Sequence, residues 1–142
     1  MSDGVTNARS AMFPSRLGEL RRMNAFLEGF CAAAGIGRER CLRLNLVLEE
    51  LFVNTIQHGH RGEGDAPVWV TLAADRKALH LTYEDTAPPF NPYARLPEKS
   101  PDTTGEMRKI GGLGVLLTRE LAATRDYAYL FGRNRIHLAL AR

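Results

Sequence analysis

The sequence predicts one α+β domain, a two-layer α/β sandwich in which a mixed, mostly antiparallel sheet carries helices on one face. Three observations lead to this prediction. A chain of 142 residues is long enough for one core and too short for two large ones. The apolar pattern orders the elements as strand, two helices, two strands, a long loop, one helix and two strands. The strands come in adjacent pairs, whereas a doubly wound parallel sheet needs strict alternation with helices.

The first half of the chain is predicted to supply an edge strand and two helices. Residues 1–12 are polar and specify only a weak strand, placed near residues 5–13. Pro14-Ser15 is typical of a helix start with the serine as its cap, and apolar residues then recur at helical spacing. Gly35 is expected to end this helix. A second helix is predicted over residues 38–57, and the glycines after it break the pattern.

Two strands and a long loop follow. Residues 68–72 and 79–83 have strand composition and are joined by a turn at residues 75–77. Residues 87–110 contain five of the seven prolines and no periodicity. Structureless loops of this length inside small domains are usually functional, often as lids. We therefore expect residues 87–110 to form a lid.

The last quarter of the chain is predicted to close the sheet. A third helix is expected from residue 115 to about residue 124. Strands are predicted at residues 126–131 and 135–141, separated by a turn at residues 132–134.

Composition narrows the classes of function. The net charge is +3, and the Lys and Arg residues are scattered with few aromatics among them, so a direct nucleic-acid surface is not favoured. No apolar run reaches the roughly 20 residues of a membrane span, and no secretory signal is visible. Cys31 and Cys41 match no metal-ligand spacing and are expected to be free thiols in a reducing cytoplasm.

The second helix carries the most informative motif, an acid, an amide and an imidazole at four-residue spacing: Glu50, Asn54 and His58. Steps of four advance about 40° around a helix, so these side chains form one polar stripe. A carboxylate can accept the proton of an attacking hydroxyl, an amide oxygen is a hard Mg²⁺ ligand, and an imidazole can face a phosphate. The alternative is a solvated helix flank, with His58 placed favourably near the helix C-terminus.

A second motif directly follows the fifth predicted element, the strand at residues 79–83. Asp85 stands where a strand leaves the sheet, a position from which a carboxylate can accept a hydrogen bond from an exocyclic amine. Ala87 is small enough to let a flat ring approach the backbone, and the prolines after it stiffen the exit. The alternative is a proline-rich turn in which Asp85 caps its own backbone.

The third motif consists of the glycines Gly111, Gly112 and Gly114, which precede the predicted third helix. Glycines at a helix start allow an anion to approach the backbone closely. Neither a Walker motif nor a Rossmann unit fits, because no Gly-Lys-Ser/Thr follows and no strand directly precedes. A flexible hinge explains the glycines equally well.

Together, the three motifs resemble those of the GHKL (Bergerat-type) ATP-binding proteins, and in particular the small serine kinases that act as anti-sigma factors in bacterial partner switching. The resemblance covers roughly residues 13–140. Residues 50–58 are similar to the family's N box, and residues 85–92 and 111–114 to its two glycine boxes. Residues 132–136 resemble the final hairpin of the subgroup.

The resemblance implies a role for each motif residue on the second helix. Glu50 would be the catalytic base, Asn54 the Mg²⁺ ligand and His58 an auxiliary residue beside the phosphates. The implied cofactors are ATP and Mg²⁺.

It likewise implies roles for the residues of the two glycine boxes. Asp85 would accept the adenine amine, with Ala87 beside it where the family usually has glycine. The glycines of residues 111–114 would close the lid on the phosphates.

The implied function is that of a cytoplasmic anti-sigma factor serine-protein kinase. Such a protein phosphorylates a small STAS-like antagonist on Ser or Thr and sequesters a sigma factor, and it can form a homodimer. The alternative is a sequestering module with weak or structural nucleotide binding, suggested by Ala87 and by His137, which stands where the family often has threonine. A detached ATPase domain of a histidine kinase is a third interpretation.

Overall fold

A computed structural model describes residues 7–92 and 122–142 of the chain. Five strands and two long helices lie in these ranges: β1 (Asn7–Pro14), α1 (Leu20–Ala34), α2 (Arg38–Asn54), β2 (Pro67–Ala74), β3 (Ala78–Asp85), β4 (Ala122–Leu130) and β5 (Arg133–Ala141). A 3₁₀ turn (Leu17–Glu19) leads into α1, and a π-helical turn (Thr55–Gly59) extends α2. None of the described helices is long and apolar enough to span a membrane.

The strands form one sheet in the order β1-β2-β3-β5-β4, and all four pairings are antiparallel. Side chains of β2 and β3 alternate strictly between buried and half-buried positions, as expected for a sheet with one covered face. This arrangement confirms the predicted two-layer α+β sandwich and the edge position of β1.

The core lies between the sheet and the two helices. The contributing side chains are fully or almost fully buried: Met23, Leu27 and Phe30 from α1, Leu44, Leu48 and Phe52 from α2, and Val70, Leu81, Tyr83 and Leu138 from the sheet. Gly35 ends α1 in a left-handed conformation, as the sequence predicts. The helices therefore cover one face, and the C-terminal end of α2 lies over the end of β3.

The opposite face of the sheet carries no helix from the described ranges. Trp69 lies there beneath the guanidinium of Arg133, whose carbon is 3.7 Å from the ring centroid. The rings of His80 and His137 stack on the same face with centroids 5.5 Å apart. His137 therefore points away from the helix layer.

Three local predictions are wrong. Ser15 caps no helix, because its hydroxyl donates to the carbonyl of Ala66 at 2.7 Å and α1 begins five residues later. The third helix does not reach Thr124, since β4 already begins at Ala122. The turn of the last hairpin lies at Phe131-Gly132, so Asn134 belongs to β5.

Two of the predicted features lie outside the described residues. They are most of the lid, from residue 93 to residue 110, and the glycines of residues 111–114 with the start of the third helix.

Candidate functional site

The candidate site begins at the end of α2, where the helix changes pitch. The amide of His60 donates to the carbonyl of Thr55 at 2.8 Å, which is the i→i+5 bond of a π turn. His58 lies within this π turn, beyond the regular part of α2 that carries Glu50 and Asn54, and it is exposed.

Glu50 and Glu49 are neighbours with different environments. Glu49 accepts a hydrogen bond from the side-chain amide of Asn45 at 3.0 Å. Glu50 is half-buried, and its Oε1 is buried without a hydrogen-bond partner in the described structure. This burial raises the pKa of the Glu50 carboxyl above its ordinary value of 4.5. A desolvated, unpaired carboxylate has the properties of a proton acceptor.

Asp85, at the end of β3, is 7% exposed and has most of its hydrogen-bonding capacity filled. Its Oδ1 accepts from Asn134 Nδ2 at 2.8 Å and from the amide of Ala87 at 3.1 Å. Its Oδ2 accepts from Thr55 Oγ1 at 2.7 Å. A carboxylate has about four acceptor positions. Among the described residues, one acceptor position of Oδ2 therefore has no partner.

Two buried hydroxyls fix the orientation of Asp85. Tyr83 Oη lies 2.6 Å from Thr55 Oγ1, and burial raises the pKa of Tyr83 well above its ordinary value, so the phenol keeps its proton. The consistent arrangement is that Tyr83 donates to Thr55 and Thr55 donates to Asp85. Hydrogen bonds in such a chain, with a charge at its end, strengthen one another.

Asn134 connects Asp85 to the segment that leaves β3, residues 87–90. It lies opposite Asp85 in the β3–β5 register. Beyond Asp85, its Nδ2 donates to the carbonyls of Ala87 and Pro88 at 2.9 and 3.0 Å. Its Oδ1 accepts from the amide of Phe90 at 2.9 Å and from the hydroxyl of Tyr127. One side chain thereby orders the segment that leaves β3.

The register also corrects the expectation about His137. That residue pairs with Thr82 and faces the uncovered side of the sheet, so it has no access to Asp85. The side chain of β5 that reaches Asp85 is the amide of Asn134.

A small cavity opens beside Asp85. Its walls include Asn54, Thr55, Gly59, Asp85, Ala87 and Pro92. The enclosed volume is about 20 Å³, which holds a single water. Phe90 and Pro92 are among the lining residues, and a flat ring does not fit into this volume unless the walls move.

Comparison with known proteins identifies the family of this fold. The family described as "Histidine kinase-like ATPase domain" matches residues 13–139. The chain belongs to this family. Relatives include the Serine-protein kinase RsbW of Listeria monocytogenes serotype 4a (strain HCC23) and that of Listeria innocua serovar 6a (strain ATCC BAA-680 / CLIP 11262). Each is 30% identical over 98 residues, which cover 67% of this chain. The match spans 62% of the length of these curated relatives.

A divalent cation that accompanied a bound nucleotide would need an oxygen ligand from the protein. Asn54 lines the cavity, and its side chain makes no hydrogen bond to other described residues. An amide oxygen is a ligand that Mg²⁺ accepts, with phosphate oxygens and waters completing the octahedron. Within residues 7–92 and 122–142, no three His, Cys, Asp or Glu side chains form a metal cluster. Asn54 therefore suits a cation that arrives with phosphate.

The structure brings Asn54, Asp85 and Ala87 together around one cavity, with Glu50 one helical turn before Asn54. It does not bring His58 there.

Sequence reasoning missed Thr55, Asn134 and Tyr127, all of which act on Asp85 or on its neighbours. The available signal for Thr55 was a polar residue on the apolar face of α2. Asn134 gave no signal, because an asparagine after Gly132 also suits a turn.

Proposed function

We propose that this chain binds ATP with Mg²⁺ and transfers the γ-phosphoryl group to a Ser or Thr hydroxyl of a partner protein. The observation that carries the proposal is the buried Asp85 carboxylate, which keeps one acceptor position open beside a cavity. An ionised acceptor selects a ligand with an amine, as adenine has, over one that presents a carbonyl there. Guanine presents such a carbonyl, so adenine is the preferred base.

The proposed roles of the α2 residues follow from their positions. Asn54 holds the Mg²⁺ that neutralises charge on the phosphates. Glu50 accepts the proton of the attacking hydroxyl, whose oxygen forms a bond to the γ-phosphorus while the bond to the β-phosphate oxygen breaks and ADP leaves. His58 and the glycines Gly111, Gly112 and Gly114 are proposed to act on the phosphate side.

We propose the partners from the relatives' printed name, Serine-protein kinase RsbW, and from the family resemblance. The phosphorylated protein is a small STAS-like anti-sigma factor antagonist, and the same chain sequesters a sigma factor. The site of action is the cytoplasm, and a homodimer is the proposed assembly.

The test is phosphate transfer from Mg-ATP to a candidate antagonist. We expect Glu50→Ala to lower the rate by about 10²-fold or more, the usual contribution of a positioned base. Glu49→Ala is the matched control, because it removes a neighbouring carboxylate that already bonds to Asn45. Equal rates for wild type and Glu50→Ala contradict the proposed kinase mechanism.

A second candidate function is a sequestering module without catalysis. The small cavity favours it, because a volume of about 20 Å³ does not accommodate a base unless the walls move. Calorimetric titration of the wild-type chain with ADP and Mg²⁺ separates the two. Saturable binding supports the kinase, and the absence of binding at millimolar ADP supports the module.

A further inference from the structure

Gly59 and Ala87 touch across the rim of the cavity. A Cβ built on Gly59 lies 2.7 Å from the Cβ of Ala87, closer than two carbons can approach without movement. The next heavy atom is 3.8 Å away, so Ala87 is the neighbour that a side chain at position 59 meets. The contact joins the end of the π turn to the segment that follows β3.

The backbone at Gly59 does not itself demand glycine. Among the described residues, the glycines with positive φ are Gly35, Gly62 and Gly132. In a helical turn with ordinary φ, glycine is less favourable than alanine. The space needed by the Ala87 methyl is therefore the physical reason for glycine at position 59.

Ala87 transmits its position to Asp85 through the backbone. Its amide donates to Asp85 Oδ1, and its carbonyl accepts from Asn134 at 2.9 Å. A displacement of a few tenths of an ångström at Ala87 shifts both bonds. It also moves the wall of the cavity, which both residues line.

We propose that Gly59 is a positioning residue, matched to Ala87, that sets the geometry of Asp85 for the ligand amine. Alanine is acceptable at position 87 because position 59 has no side chain, and the methyl occupies the space beside the π turn. The functional part of this inference rests on the proposed nucleotide binding, whereas the steric pairing does not.

The experiment is a double-mutant cycle with Gly59→Ala, Ala87→Gly and the combination of both. Titration with ADP and Mg²⁺ measures the dissociation constant, and thermal unfolding without nucleotide measures the coupling in the folded chain. Gly64→Ala is the matched control, since a Cβ there meets nothing within 4 Å and its φ is ordinary.

We expect Gly59→Ala to weaken ADP binding by about tenfold or more, and the double variant to return within about threefold of wild type, because contacting residues couple non-additively. Gly64→Ala should bind ADP like wild type. Wild-type affinity in Gly59→Ala, or no recovery in the double variant, overturns the proposal. If Gly59→Ala fails to fold, recovery of a folded, ADP-binding double variant supports it and failure to recover overturns it.

A wild-type chain that binds no ADP overturns the proposed function and the positioning role together. Thermal unfolding alone then tests the steric pairing of positions 59 and 87. Non-additive melting temperatures across the cycle support it, and additive ones overturn it.

Discussion

The two carboxylates of the site differ in almost every physical respect. Asp85 is buried, accepts three hydrogen bonds and is oriented by Thr55 and Asn134. Glu50 is half-buried, and its Oε1 has no partner in the described structure, so burial raises its pKa. The difference suggests a division of work. A group that recognises a ligand benefits from fixed geometry, and a group that takes up a proton benefits from being unpaired and desolvated.

Asp85→Asn should have the largest effect on ligand binding, the role proposed for Asp85. The substitution removes the charge and replaces one acceptor oxygen by an NH₂ donor. This NH₂ faces either the Thr55 hydroxyl or the ligand amine, and in either place two donors meet and one is left unpaired. We expect ADP affinity to fall by about 10- to 100-fold, the cost of one lost hydrogen bond to a charged group. Calorimetric titration measures it. Asp126→Asn, on the uncovered face of the sheet, is the matched control.

Asn134→Ala tests whether the order around Asp85 comes from one side chain. The variant removes the donor that the carbonyls of Ala87 and Pro88 share, and it removes one of the two acceptors of the Phe90 amide, the other being the Tyr127 hydroxyl. We expect the free energy of unfolding to fall by about 1–3 kcal/mol, as for a buried hydrogen-bonding group left unsatisfied. Chemical denaturation measures the change. A variant as stable as wild type, with unchanged ADP affinity, would contradict the role of Asn134 in ordering the surroundings of Asp85.

The smallest expected effect is the pH dependence of Glu50. Its folded-state pKa lies above 4.5, so the folded chain binds the proton more tightly than the unfolded chain, and ionisation costs stability as pH rises through that raised value. Glu50→Gln should therefore be more stable than wild type at pH 7, with the difference shrinking below about pH 4.5. Denaturant titrations at several pH values measure it. Glu49→Gln is the control for the loss of one charge. A stability difference between wild type and Glu50→Gln that does not change with pH contradicts the raised pKa.

The sequence predicted the features that local physics determines. Alternating apolar residues identified β2 and β3, and Gly35 identified the end of α1, because side-chain period and backbone conformation are readable from neighbours. Asp85 was selected as a candidate because it directly follows an apolar strand, and its role as a ligand acceptor stays a prediction.

The missed features depend on residues far apart in the chain. Asn134 reaches Asp85 across 49 positions, and Ser15 reaches Ala66 across 51, so no local pattern records either bond. The π turn was also missed, since the apolar spacing of α2 continues through Ile56 whether the last turn is α or π.

The stacking of Arg133 on Trp69 gives this protein a built-in optical reporter. Trp69 is the single tryptophan of the chain, and Arg133 precedes Asn134 on the same strand. A shift of that strand on ligand binding beside Asn134 would alter the emission of the indole, so unlabelled protein suffices for a stopped-flow record of binding.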